Sequence, residues 1–123
     1  MSVLTRVATV TRRAATPADG DYLRELFAES RDDLWVLPDD VRTVLLDAQY
    51  RVRRRELEAA HPTARYEIVV ADGVDAGLLV LERRPDGAHI VQLAIARSHR
   101  HRGVAEAVRA QMAGEAALRS FTG

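Results

Sequence analysis

The run Arg97-Ser98-His99-Arg100-His101-Arg102-Gly103-Val104-Ala105 gathers three arginines and two histidines just ahead of a stretch with helical spacing. The first turn of a helix has backbone N–H groups with no partner inside the helix and the positive end of the dipole behind them. Glycine at 103 lets backbone approach a ligand closely with no side chain in the way, and the small Ala105 keeps the next turn open. A strand, a basic loop, a glycine and a helix in that order make a diphosphate site on physical grounds alone. The same residues also read as an ordinary solvated basic loop before a helix. A nucleic-acid patch is disfavoured, because no aromatics lie alongside for base stacking. The His99-x-His101 pair has no carboxylate or third histidine at ligand spacing, so no metal is expected.

The elements that must position this loop are legible around it. The apolar run His89-Ile90-Val91-Gln92-Leu93-Ala94-Ile95 before it reads as a strand, and Val104 to Arg119 after it as a helix with Val104, Ala107, Val108, Met112 and Leu118 inward. Two more strands precede, Tyr66–Val70 and Gly77–Leu81, separated by the tight-turn pair Asp72-Gly73 and followed by Pro85-Asp86-Gly87. All three strands are apolar on both faces, which predicts a sheet covered on both sides. Upstream, Val7–Thr11 is short and β-branched and reads as a first strand. Thr16-Pro17-Ala18-Asp19 reads as a helix start, with threonine as cap, running to Glu29 with Leu23, Leu26 and Phe27 on one face. A second helix follows Pro38, with Val41, Val44, Leu45, Ala48 and Val52 at three- and four-residue steps, and ends by Pro62. The predicted order is strand, helix, helix, three strands, helix: an α+β layout with a mainly antiparallel meander, in one domain over 1–123.

Composition limits what such a domain does. The 123 residues carry 18 basic and 18 acidic side chains, and every basic one is arginine, so no net field draws the chain to nucleic acid or to an anionic membrane. There is no cysteine, which removes disulfides, thiolate metal sites and a cysteine nucleophile. No stretch approaches membrane-spanning length and Met1–Val10 has no signal-peptide core, so a cytoplasmic location is the default expectation.

With these elements in place, Arg100-His101-Arg102-Gly103-Val104-Ala105 resembles the Q/R-x-x-G-x-G/A pattern of the GNAT (GCN5-related N-acetyltransferase) family, which lies between that family's fourth strand and third helix. The resemblance implies the GNAT-like acyl-CoA N-acyltransferase fold and binding of acetyl-CoA as co-substrate. Its diphosphate would sit on Arg100, His101, Arg102, Gly103, Val104, Ala105 and Glu106, and its pantetheine arm on the backbone of Leu93, Ala94 and Ile95. Many members have glycine where this chain has His101 and Ala105, and a small hydroxyl residue where it has Glu106. The implied activity is transfer of an acetyl group to a small-molecule or peptide amine. The alternative is a non-catalytic GNAT-like module that binds coenzyme or a partner.

An amine attacks a thioester only when deprotonated, so a base or a water chain must take its proton. In histone-type members a glutamate five residues before the alanine of the strand-end motif does this; counting back from Ala94 reaches His89, whose ordinary pKa suits a base at neutral pH. Glu82 is the reserve candidate, and His89 also reads as a solvated residue past the turn. Arg51, Arg53, Arg54 and Arg55 form a second basic cluster; in the family resembled that helix borders the acceptor site, which would suit an acidic acceptor, but the favoured reading is a solvated helix face paired with Glu56 and Glu58. Trp35 reads as a packing residue or a pocket lining. A complete fold of this kind continues with a fifth strand, a fourth helix and two more strands, so the chain reads as a C-terminally truncated member. The unpartnered edge of His89–Ile95 then predicts a homo-oligomer.

Overall fold

The computed structural model describes the backbone of residues 8–122 and the side chains of residues 8–115. Four antiparallel strands, β1 (Val10–Ala14), β2 (Arg65–Ala71), β3 (Val74–Arg84) and β4 (Gly87–Ile95), lie in sequence order across one sheet. Helices α1 (Gly20–Glu29) and α2 (Asp39–Ala60) follow β1, and α3 (Val104–Thr122) follows β4. Single 3-10 turns at Pro17–Asp19, Asp32–Val36 and Arg97–His99 join them.

The two hairpins explain the meander. Asp72 and Gly73 take φ of 50° and 80°, the backbone of a two-residue turn whose twist matches that of the flanking strands. At the other end Pro85 and Asp86 connect the Arg84–Gly87 pair. Because β2, β3 and β4 are apolar at successive positions, the sheet builds a core on each face. Val69, Leu79 and Leu81 pack under Val104, Val108 and Met112 of α3, while Ile68, Leu78 and Val80 pack under Leu23 and Leu26 of α1. Thus the covering of both faces expected from the sequence is observed.

Three expectations are corrected. The first strand lies three residues later than Val7–Thr11, and Val7 is outside the described residues. Arg12 and Arg13 belong to the strand because both have partners: Arg12 meets Glu67 and Glu115 at 3.3 and 2.5 Å, and Arg13 grips Asp19 at 3.0 and 2.8 Å. The helix also starts later than Thr16-Pro17: Thr16 and Asp19 form a capping box around the 3-10 turn Pro17–Asp19, the Asp19 carboxylate accepting from the Thr16 amide at 2.8 Å, and α1 begins at Gly20. The α2 stripe is the third. Val41, Val44, Leu45 and Val52 are exposed, and Leu57 is the residue of α2 that is buried. The inward side is set by Tyr50, edge-on to Phe27, and by Arg54 over the ring of Tyr66. Leu118, read as inward, has no described side chain.

Candidate active site

β4 ends at Ile95, and the Ala96 amide donates to the Ala76 carbonyl at 2.7 Å, holding the strand end against β3. There the two backbones are very close: a Cβ on Gly77 would lie 2.3 Å from the Ala94 carbonyl oxygen. Arg97 is spent on structure. Its amide donates to Glu29 at 2.8 Å and its guanidinium to the Glu29 carbonyl and Asp32, which ties the loop to the end of α1. Arg100 turns back and donates through Nε to the Ile95 carbonyl at 3.3 Å.

The chain then needs two residues in the left-handed region, His101 at φ 66° and Gly103 at φ 74°, before α3 begins. A Cβ on Gly103 would meet nothing within 4 Å, so the space beside it is open and the glycine is required for its backbone angle. The first helical bond runs from the Ala107 amide to the Gly103 carbonyl at 3.0 Å. The amides of Val104, Ala105 and Glu106 therefore stand ahead of it without a partner in the helix. Ile95, Arg100, His101, Gly103, Val104, Ala105 and Glu106 line one cleft of ≈ 560 Å³. Arg102 is exposed beside it. Leu93 and Ala94 do not face this cleft: Leu93 packs beneath α3 and Ala94 on the opposite face, so their share is backbone.

A second depression lies on the other face, between α1, α2 and the sheet, with ≈ 70 Å³ of enclosed space. Leu23, Leu26, Phe27 and Leu57 form its walls, Leu78 and Ala94 its floor, and Tyr66, Gln92, Arg53 and Arg54 its polar part. A bulge builds it. The register steps from Leu81–Ile90 to Val80–Gln92, leaving Val91 unpaired, and Val91 packs on the same face as Ala94. Bulges re-aim side chains in this way beside functional sites. Ala94 and its neighbour Ile95 thus place the two depressions on opposite sides of one strand end.

His89 is brought to neither. It sits at the hairpin end of β4, six residues from Ile95, about 20 Å along an extended strand. Its Nε2 lies 2.8 Å from Asp86, whose carboxyl is held below the usual range by that contact. Glu82, its cross-strand partner, bonds Arg84 at 3.0 and 2.8 Å and lies 3.3 Å from His61. Arg84 first, then His61, hold its carboxyl below the usual range, which weakens it as a base. Trp35 is exposed, with the Arg42 guanidinium 4.4 Å above its ring, and lines neither depression. The part that Gln92 takes in this pocket has one local signal in the sequence, a polar residue flanked by apolar ones in β4.

No family model and no curated protein sequence matches the chain. Solved structures do. A GCN5-related N-acetyltransferase from Ralstonia eutropha JMP134 aligns with TM-score 0.51 and 15% identity, over 91% of this chain and 78% of that one. A probable acetyltransferase aligns with TM-score 0.53 and 19% identity, over 92% of this chain and 65% of that one. The shared feature is the fold, an antiparallel sheet with flanking helices.

Proposed function

We propose that this chain, which has the fold of the GCN5-related N-acetyltransferases, binds acetyl-CoA and transfers its acetyl group to an amine. The observation that carries the reading is the cleft at Ile95–Glu106. It presents helix amides with no partner in the helix, open space beside Gly103 and the Arg100 side chain to one volume, with Arg102 exposed beside it. A diphosphate fits that chemistry, since helix amides and fork-shaped guanidinium donors favour phosphate oxygens. The edge of β4 that no strand pairs among the described residues leads from the cleft to the bulge, a path for the pantetheine arm that brings the thioester beside the second depression. There the neutral amine nitrogen attacks the thioester carbonyl. The C–N bond forms, the C–S bond breaks, the nitrogen loses one proton to solvent, and the thiolate takes one up to leave as free coenzyme A.

The test is calorimetric titration with coenzyme A, followed by thiol release from acetyl-CoA in the presence of amines. A ligand at a hundred times its Kd stabilises a native state by about 2.7 kcal/mol. The Arg102→Ala variant, which removes an exposed side chain, should keep the unliganded melting temperature and bind the coenzyme about ten-fold more weakly. Equal affinity in the two proteins overturns the cleft assignment. Binding without thiol release selects the non-catalytic module instead, a reading favoured by the distance of His89 from both depressions.

A further inference from the structure

The depression between α1, α2 and β4 holds buried polar atoms that the fold leaves unmatched. The Tyr66 hydroxyl and the Gln92 side-chain carbonyl oxygen are both inaccessible to solvent and have no hydrogen-bond partner. A buried polar group left alone costs about 1–3 kcal/mol, so natural cores seldom keep two on one cavity wall. They are not scattered. Tyr66 pairs with Val80 and Val80 with Gln92, so the three form one row across three strands on a single face, with short Val80 between. Both side chains line the same apolar depression, and a small rotation of each would turn its covered polar atom into that space, one donor and two acceptor sites in all. A primary amine has the complementary set, two or more N–H groups and, when neutral, one lone pair.

The charges at the mouth are one-sided. Arg53 and Arg54 line the pocket, and no carboxylate does. Arg54 is engaged, donating to Glu58 at 3.1 Å and stacked 4.0 Å over the Tyr66 ring. Arg53 is exposed and has no hydrogen bond or ion pair among the described residues. A second cation on the acceptor would meet only repulsion there, whereas an anion would find a free guanidinium. The two cations also disfavour the ammonium form of a nearby amine, which raises the reactive neutral fraction. As for size, ≈ 70 Å³ is the share of about two waters, so the enclosed part takes the tip of a branched or thioether side chain and excludes a ring.

The geometry points to an apolar α-amino acid of about the size of leucine or methionine as the acceptor, its side chain among Leu23, Leu26 and Leu57, its amine at Gln92 and Tyr66, and its carboxylate on Arg53. This assignment rests on the acetyltransfer reading, and it names the acceptor class for that reaction.

The experiment measures binding and turnover separately. Titration calorimetry is run with leucine, methionine, isopentylamine (leucine without its carboxylate) and putrescine, each with and without coenzyme A. Thiol release from acetyl-CoA is followed with the same four. Leucine and methionine should exceed isopentylamine about ten-fold in kcat/KM, with putrescine slowest, and Arg53→Ala should erase the advantage of the acids. Gln92→Leu should raise the melting temperature by removing an unmatched buried oxygen, yet lower acceptor affinity. Putrescine preferred over leucine, or coenzyme binding with no leucine or methionine binding, overturns the acceptor assignment and leaves acetyl-CoA binding intact. Amino-acid binding that Arg53→Ala weakens, in a protein that ignores coenzyme A, sinks the acetyltransfer reading and keeps the pocket as an amino-acid site.

Discussion

Replacing Gly77 by alanine puts a methyl carbon where the end of β4 already lies. The added Cβ would stand 2.3 Å from the Ala94 carbonyl oxygen and 3.2 Å from the Ile95 Cα. A comfortable carbon–oxygen approach is about 3.3 Å, so about 1 Å must be found by parting two backbones. No flexible side chain takes the strain, because both atoms belong to a strand end that is also bonded through the Ala96 amide to Ala76. Overpacking of this kind costs about 1–3 kcal/mol, and the entropy that alanine removes from the unfolded chain returns about 0.4–1 kcal/mol. The net is a loss of about 1–2 kcal/mol, which for a domain of this length lowers Tm by about 4–8 °C. The displaced groups are the ones proposed to receive the pantetheine arm, so acetyl-CoA should bind about ten-fold more weakly as well. Gly114→Ala is the control. It lies in α3 with nothing within 4 Å of the new Cβ, and helix propensity predicts a gain of about 0.5–1 kcal/mol. Urea denaturation and calorimetry of the two variants decide the matter. If Gly77→Ala is as stable as Gly114→Ala and binds coenzyme normally, the close approach of β3 to β4 is wrong and the strand-end geometry falls with it.

Three further outcomes are expected. His101 holds a φ of 66° without being glycine, a conformation that costs an L-residue about 1–2 kcal/mol; His101→Gly should leave stability equal or raise it by up to about 1 kcal/mol in urea denaturation, and a clear loss would mean that the imidazole makes a needed contact. The Arg13 side chain, then the Thr16 amide, hold the Asp19 carboxyl far below its usual range, so its stabilising effect is complete above the ordinary carboxylate pKa of about 4 and is lost as pH falls below that; Asp19→Asn should flatten the acid limb of a Tm–pH profile, and an unchanged limb would remove the pair from the account. The edge of β4 away from β3 pairs with no strand among the described residues, and we propose that the chain dimerises along it; sedimentation should show a dimer that Ile90→Lys weakens and that acetyl-CoA dissociates, because the pantetheine arm and a second copy would compete for Leu93–Ile95.

The parts of this molecule that the sequence announces are those whose signals are local. Asp72-Gly73 and Pro85-Asp86-Gly87 dictate turns through their own backbone preferences, and the unbroken apolar runs between them leave no polar face to expose, so the hairpins and the doubly covered sheet follow. The cleft is legible for the same reason, since strand end, glycine and helix start are contiguous in the chain. Propensity fails where distant partners decide. Arg12 and Arg13 look unsuited to a strand until Glu67, Glu115 and Asp19 are seen to receive them. On α2 the spacing of valines points outward, because the inward surface is made by Tyr50, Leu57 and the stem and guanidinium of Arg54, residues a hydrophobic count scores as ambiguous or polar.

The pocket is the furthest from legibility, and its cause is specific. Tyr66 and Gln92 meet through two registers and a bulge, and none of these has a signal within a few residues of either side chain. Were β4 regular across Val91, one of its two segments would shift by one place and present its alternate faces. Either Gln92 would lie beneath α3, where it would be an unmatched polar group in a packed apolar layer, or Ile90 would leave the side it shares with Leu81. The bulge resolves that conflict and, in doing so, brings the one amide side chain of β4 to the wall where Tyr66 and Arg53 converge. The feature that makes the strand irregular is therefore the feature that makes the pocket selective.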